Sequence, residues 1–410
     1  ISTTNTKHVA NVRMQLSELT ENPIILGEPV AKNTAPAIVL ATKFIIQKSA
    51  SDPIILAVPS DLLIKDNEKF VSTIKKGEKL AQEGYIVTFG IKPDYPETGY
   101  GYIDTAEKIG DGFKVKKFVE KPNFETAKEY LKQNTFYWNS GIFMFKASTI
   151  LNETVKHATE IAKVSEEFDF SESNQIPFIN FDKMPNISID YALIEKSKKT
   201  VMLELECDWM DLGSWEAIYE NSKKDENNNC FLGNVIDIDS KNSFVYATSK
   251  LVTTIGLNNT CIVETEDALL VCDKSKSNEV KKIYEKLKDI NDETHKVHKT
   301  VYRPWGYYSV LQEGEGFLTK CICVNPHAKL SLQYHFHRSE HWVVLEGNAI
   351  VVKDNIEYNL TPGESIDIKI KETHSLQNPT NKPLKILEVQ KGDILDENDI
   401  VRLSDLYGRV

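Results

Sequence analysis

Gln333-Tyr334-His335-Phe336-His337-Arg338-Ser339-Glu340-His341-Trp342 is the stretch that decides how this 410-residue chain is read. Gln333, His335 and His337 fall on alternate positions, and alternate side chains leave the same face of a β-strand. Glu340 and His341 follow at once, Gly347 closes a Glu-x6-Gly spacing, and His374 and Asn378 come later. Imidazoles and a carboxylate on one strand pair, completed by an imidazole from a returning strand, let a small antiparallel barrel enclose one divalent ion. Zn²⁺ or another first-row metal suits such borderline ligands. The expected ligands are Gln333, His335, Glu340 and His374, with His337 in reserve and His341 pointing away. One histidine alone is more often a satisfied structural residue; the combined spacing is what favours a metal.

Outward from this stretch, residues 301–410 are short apolar runs broken at Glu313-Gly-Glu-Gly316, Asn325-Pro326, Pro362-Gly363 and Asn378-Pro379. That punctuation predicts a compact β-barrel or sandwich. Residues 275–300 read as a Lys-rich amphipathic helix over 275–290 and a polar linker holding His295 and His298. Residues 227–274 read as a β connector of short strands, with no internal repeat visible. In residues 1–226, Pro53-Ile-Ile-Leu-Ala-Val-Pro59 predicts a strand buried on both faces. Helical patterns at 37–48 and 67–83 flank it, and residues 85–90 give the next strand. This β-α-β rhythm predicts an α/β layer fold, Rossmann-like, with a mostly parallel sheet. Ligands of such sheets gather outside the carboxyl ends of the strands, where Ser60 and Asp61 fall.

Composition narrows the function. A net charge of −11 argues against nucleic-acid binding, which needs a basic surface. No apolar run is long enough to span a membrane. The six cysteines show no CxxC spacing, and Cys321 and Cys323 share one strand face as a buried thiol pair. A reducing cytoplasm fits. The chain opens on Ile1 rather than Met and so reads as a fragment or a processed chain. A homo-oligomer is compatible with the sequence, which sets no oligomeric state. Arginine usage points further: of 49 basic residues five are Arg, and Arg303, Arg338, Arg402 and Arg409 lie in the last 108 residues. Single arginines are commonly surface ion pairs. Four beside a metal-type motif favour a phosphorylated substrate, because the forked guanidinium matches phosphate.

These residues carry a resemblance. Arg303-Pro-Trp-Gly-Tyr-Tyr308, residues 330–342, Ile386-Leu-Glu-Val-Gln390, Asp399-Ile-Val-Arg402 and Asp405-Leu-Tyr-Gly-Arg409 closely resemble the C-terminal cupin of the bifunctional type II mannose-6-phosphate isomerase / mannose-1-phosphate guanylyltransferase family. Residues 28–36, with Asn33 and Thr34, look like that family's nucleobase-side loop. Pro59-Ser-Asp61 looks like its metal-binding Asp, and Gly99-Tyr-Gly101-Tyr102 like its sugar-contact turn. Phe118-Val-Glu120-Lys121-Pro122 and Trp138-Asn139-Ser-Gly141 match its hexose segments. Ser188-Ile-Asp190-Tyr191 and Trp209-Met-Asp211-Leu-Gly-Ser-Trp215 match its closing motifs.

The resemblance implies two chemistries. One is guanylyl transfer from GTP to mannose 1-phosphate, giving GDP-mannose, with Mg²⁺ on Asp61 and Asp211. Gly101, Glu120, Lys121, Asn139 and Asp190 would hold the sugar. The other is interconversion of fructose 6-phosphate and mannose 6-phosphate in the cupin. There the base is Glu340 or His337, and Arg338 and Arg402 face the substrate phosphate or the enediolate. Lys32 stands where the family has Arg, and Leu62 where a His follows the Asp. The family's glycine-rich phosphate loop would precede Ile1, so the expectation for these residues is that isomerisation survives and nucleotidyl transfer is weak or absent. The alternatives are a non-catalytic sugar-nucleotide-binding remnant and an isomerase-only cupin enzyme.

Overall fold

The structure, a computed structural model, describes residues 1–49, 51–171, 176–290, 292 and 298–405. His295 and Arg409 lie outside the described residues. The chain forms two compact units, Ile1–Asn221 and Ser222–Val410. No helix among the described residues is long and apolar enough to cross a membrane.

In the first unit a six-stranded sheet runs in the order Ile54–Ala57, Phe136–Lys146, Ile86–Ile91, Thr200–Glu204, Gly112–Val119, Tyr102–Ile109. Strand alternation sends neighbouring residues to opposite faces. Ile86, Phe143, Phe145 and Met202 pack with Val39, Leu40 and Phe44 of the helix Thr34–Lys48 and with Ile150. Val87, Phe89, Met144 and Leu203 instead pack with Leu80 and Ala81 of the helix Asn67–Gln82. Helices therefore cover both faces, as the α/β layer reading expects. The helix Thr34–Lys48 begins earlier than the predicted 37–48. Asn33 caps it, its Oδ1 accepting the Thr34 N–H at 2.9 Å, and Pro36 is tolerated in a first turn.

Two expectations are corrected. The sheet is mixed rather than mostly parallel: Ile86–Ile91 with Thr200–Glu204 is its parallel pairing, and the other pairings are antiparallel. The long strand Phe136–Lys146 runs back between Ile54–Ala57 and Ile86–Ile91. Those two keep a common direction, as a β-α-β unit requires, without touching. Furthermore, Ile54–Ala57 is an edge strand, not one buried on both faces, and Leu56 and Val58 are 36% and 47% exposed.

The second unit opens with the connector. Cys230–Leu232, Phe244–Ala247 and Thr260–Glu264 stack in parallel, as do Val235–Ile238 and Val252–Ile255. Val235 pairs with Val252, Phe244 with Cys261, and Lys241 with Asn258. Each pair is 17 residues apart, so the chain coils as a short β-helix. This repeat was not read from the sequence: Val235/Val252 and Ile238/Ile255 share a residue type, but Ile236/Thr253, Asp237/Thr254 and Lys241/Asn258 do not, and two matches in so short a coil make a faint signal. Beyond it, the predicted helix 275–290 begins as the 3₁₀ turn Lys274–Glu279 and becomes α-helical over Val280–Asp289. Ser275 binds the Asp273 carboxylate through its N–H and hydroxyl, a local alternative to helical bonding.

Glu264 pins the connector. Its carboxylate accepts the N–H groups of Thr248, Ser249 and Lys250 at 3.0–3.1 Å, and the Ser249 hydroxyl. The Ser249 hydroxyl, then these amides, hold its pKa down to about 2. The folded value lies below the ordinary 4.5, so this stabilisation is complete above pH 4.5 and disappears as pH falls towards 2. Glu264→Gln is expected to flatten the acid limb of the second unit's unfolding curve, measured by circular dichroism from about pH 6 to about pH 2.

The remainder of the unit is the barrel, two sheets of six and five strands around a shared core. The first holds Arg338–Glu346 beside Leu384–Gly392, and the second holds Leu332–His335 between His374–Gln377 and Ile400–Ser404. Ile322, Trp342, Val344, Val351, Leu376 and Ile386 fill the interior. Gly306 turns the chain at φ 144°, where a Cβ would lie 2.0 Å from the Cys323 carbonyl oxygen, so the Pro-Trp-Gly motif is a backbone requirement. Cys323 is buried and Cys321 half-buried, and both are free thiols.

Candidate active site

In the barrel, cross-strand register assembles the site. Gln333 lies directly opposite His374, and Glu340 opposite Gln390. His335, Glu340 and His374 are all buried, and one ligand atom from each lies within 4.8 Å of the others. His335 Nε2 is 3.0 Å from Glu340 Oε1, and His374 Nε2 is 3.7 Å from Oε2. Neither contact is aligned as a hydrogen bond, and both Nε2 atoms are buried without a hydrogen-bond partner among the described residues. The His374 Nδ1–H donates to the Glu372 carbonyl at 2.9 Å, which leaves the Nε2 lone pair facing Glu340. Burial pushes the His374 pKa down and keeps the ring neutral. Two orphaned imidazole nitrogens converging on a carboxylate are a donor set that fits a divalent metal ion. Gln333 lines a pocket together with Glu340, its Oε1 accepting the Ser331 hydroxyl at 2.8 Å.

The wall behind Glu340 is a buried polar network. Burial alone would raise the Glu340 pKa, but the His335 contact and the charges near it, Arg338 included, hold it well below the carboxylate range. Arg338, 2% exposed, donates Nε–H to Glu340 at 3.1 Å and Nη1–H to the Asp396 carbonyl at 2.9 Å. Trp342 Nε1–H is shared between Glu340 and Glu388, each at 3.1 Å. Burial first, and the Glu340 charge second, push Glu388 up to about 8, so it carries a proton at neutral pH.

The reserve ligand His337, and His341, expected to point away, both lie outside the group of His335, Glu340 and His374. His337 Nδ1 is 2.7 Å from the buried Asp399 carboxylate, and its side chain is 51% exposed, outside the group of three. His341 pairs with Asp367 at the surface. Arg402 lines the pocket together with Arg303 and Lys320.

The first unit gathers a second constellation. Asp61 follows the strand Ile54–Ala57, and Asp211 lies opposite Leu62 across the pair Leu62–Ile64 and Trp209–Asp211. Burial, then the charges of Asp61 and Glu97, raise the Asp211 pKa, whereas the Gly213 N–H and Lys121 oppose the rise. Glu120 and Lys121 are 3.5 Å apart, and Gly101 is the residue that lets Glu120 in, since a Cβ there would lie 2.6 Å from Glu120 Oε2. Asn139 donates to Asp190 at 3.0 Å, and burial followed by the Glu120 charge pushes Asp190 up to about 6. Thr34 Oγ1 accepts the Ile189 N–H at 2.9 Å, which ties the Asn33–Thr34 turn to the segment carrying Asp190. Thr34, Asp61, Gly141 and Asp190 line one cavity of about 780 Å³.

Known proteins match the chain in three segments. The nucleotidyl transferase family matches residues 1–228, the mannose-phosphate isomerase/GMP-like β-helix domain residues 233–287, and the mannose-6-phosphate isomerase C-terminal domain residues 290–405. The mannose-1-phosphate guanylyltransferase of Salmonella muenchen is 41% identical over 98% of this chain and 87% of its own length. The chain belongs to the mannose-1-phosphate guanylyltransferase family. Xanthan biosynthesis protein XanB of Xanthomonas campestris pv. campestris (strain B100) is 40% identical over 99% of this chain and 87% of that protein. The crystal structure named mannose-1-phosphate geranyltransferase from Thermus thermophilus superposes with a TM-score of 0.61 at 26% identity. It covers 70% of this chain and 83% of that one.

Within this family frame, sequence reasoning missed Lys320 and Glu397, and gave no role to Glu388, Gln390 and Asp399 although they fall in the quoted motifs. Glu388 and Gln390 carried a signal: polar side chains at the inward parity of the apolar strand Leu384–Gly392, where alternate residues are buried. Glu397 and Asp399 sit on a 3₁₀ turn with no periodicity to read.

Proposed function

We propose that the first unit forms GDP-mannose from GTP and mannose 1-phosphate, and that the second interconverts mannose 6-phosphate and fructose 6-phosphate. Family membership supports both. The observation that carries the second is the pair of orphaned, buried Nε2 atoms converging on Glu340 beneath a pocket rimmed by Arg303, Lys320 and Arg402.

In guanylyl transfer a phosphate oxygen of mannose 1-phosphate bonds to the α-phosphorus of GTP, the bridging α–β P–O bond breaks, and pyrophosphate leaves. Asp61 and Asp211 would hold Mg²⁺, which when bound offsets charge on the phosphates. Glu120 and Asp190 accept sugar hydroxyls, entering where Gly101 leaves room. Lys121, well exposed, reaches a phosphate. Asn33 and Thr34 shape the nucleobase side.

In isomerisation Gln333, His335, Glu340 and His374 would hold Zn²⁺ or a similar divalent ion, which when bound polarises the oxygens on C1 and C2. Arg338 holds Glu340 in place through its Nε–H. The reaction moves a proton between C1 and C2: Glu388 in the pocket wall would accept it from one carbon as the carboxylate and return it as the acid to the other. His337 faces outward with Asp399 and is poorly placed for that transfer.

Both activities are to be measured on residues 1–410 before and after chelation, with divalent metal restored. Isomerisation that vanishes on chelation and returns with metal is the expected result. Full turnover in metal-free protein would remove the metal reading. No hexose-phosphate conversion after metal addition would remove the isomerase.

A further inference from the structure

At the mouth of the barrel pocket three cations surround one acid. Arg303 Nη2 is 3.3 Å from Glu397 Oε1, and Arg402 Nη2 is 3.2 Å from Oε2. The Tyr308 hydroxyl reaches Oε1 at 3.5 Å. Lys320, 9% exposed, and Arg303 both lie over the Tyr308 ring, 4.6 Å and 5.5 Å from its centroid. Against one carboxylate this cradle holds three positive charges. Arg338, a fourth cation lining the pocket, is matched by Glu340. Arg402 Nε is buried without a partner among the described residues. The arrangement is short of negative charge and of hydrogen-bond acceptors.

The cavity behind Glu397 is about 50 Å³, room for a few waters. A sugar phosphate needs more, and something at the mouth must move. The backbone there is pinned on both sides of Glu397. The Asp396 carbonyl accepts Arg338 Nη1–H, and the Asp399 carboxylate accepts the N–H groups of Phe336 and His337 at 3.2 Å. The Glu397 side chain, 43% exposed, is held at the mouth by its contacts with Arg303, Arg402 and Tyr308 alone.

We propose that Glu397 is an internal stand-in for a phosphate monoester: its carboxylate occupies the anion subsite made by Arg303, Lys320 and Arg402, and a substrate phosphate displaces it to open the pocket. Two guanidinium forks and an ammonium suit a dianion better than a monoanion, because the dianion supplies three acceptor oxygens and balances the excess charge. Binding of the non-reacting phosphate would thus do the work of opening the site, and a sugar without phosphate would meet a closed mouth. This inference deepens the isomerase reading of the same pocket and rests on it for the identity of the substrate.

Calorimetry with inorganic phosphate, mannose 6-phosphate, mannose 1-phosphate and mannose tests it on residues 1–410, comparing wild type with Glu397→Gln and Arg402→Gln. Glu397→Gln is expected to tighten inorganic phosphate and mannose 6-phosphate by about tenfold, the worth of removing one charge-assisted competitor. Arg402→Gln is expected to weaken both by a similar factor, and mannose should bind to none of the three proteins. Phosphate affinity within about twofold of wild type in Glu397→Gln, with thermal unfolding showing the variant folded, would overturn the proposal. So would tight binding of mannose by wild type. Because the proposed function gives the first unit its own mannose 1-phosphate site, the substrate is read from the change on Glu397→Gln: a larger gain for mannose 1-phosphate than for mannose 6-phosphate would keep the cradle and overturn the assigned substrate. Phosphate binding is read without turnover. If the affinities shift as expected and no isomerisation occurs, the cradle stands and the isomerase reading falls; turnover with unshifted affinities gives the reverse.

Discussion

Glu340→Gln is expected to strip the metal from the barrel and abolish hexose-phosphate isomerisation. The amide keeps the shape of the side chain but loses the charge that faces His335, His374 and Arg338. Metal affinity should fall by more than about 100-fold, since changes to residues that merely support the ligands already reach that figure. Turnover should fall by about 10³-fold, the equivalent of several kcal/mol of charge stabilisation. Folding suffers too. Arg338 is 2% exposed, and a buried charge robbed of its partner costs about 3–5 kcal/mol. Asp399, 3.9 Å from Arg338, offsets part of that and favours the lower end. Adding Arg338→Met separates the two effects, because removing both charges should restore much of the stability without restoring metal. Elemental analysis, isomerase assay and thermal unfolding read the three outcomes. A Glu340→Gln protein with full metal content and turnover within about tenfold of wild type would refute the site.

Asp211→Asn is expected to reduce guanylyl transfer by about 10³-fold, because neutralising and positioning the phosphates is most of the catalysis in phosphoryl transfer. The Mg²⁺-dependent part of GDP-mannose binding should disappear with it. Stability should not fall. The Asn oxygen can still accept the Gly213 N–H, now 2.7 Å from the aspartate. The folded Asp211 pKa is raised, first by burial and then by Asp61 and Glu97. An acid of that kind costs stability above its unfolded pKa, and the neutral amide removes the cost. Titration calorimetry with and without Mg²⁺, beside a melting curve at about pH 7, checks both halves. Unchanged Mg²⁺-dependent binding in a folded variant would mean that Asp211 is a turn residue and not a metal ligand.

The pattern of residues was enough for some features. Alternation in residues 333–335 and the later His374 pointed to one shared interior, because strand parity is a local property. The α/β character of residues 1–226 was equally local, carried by apolar runs of strand length separated by helical periodicity. Sheet pairing was not. Nothing in Phe136–Lys146 announces that it will run back between Ile54–Ala57 and Ile86–Ile91, since strand neighbours are chosen by packing across the whole unit. The 17-residue coil of the connector was hidden for a related reason: stacking fixes backbone position and repeats a residue type at only some positions, as at Val235/Val252 and Ile238/Ile255.

Charge in the barrel divides the same way. The sequence by itself determined which groups were available: arginines concentrated beside the histidines, and a carboxylate at the right parity. Only the tertiary structure decided what each one does. It buried Arg338 against Glu340, turned His337 out to Asp399, and brought Glu397 from a turn with no pattern into a cradle of three cations. Ionisation and pairing depend on distances of a few ångströms between residues tens of positions apart, and sequence spacing does not encode those distances.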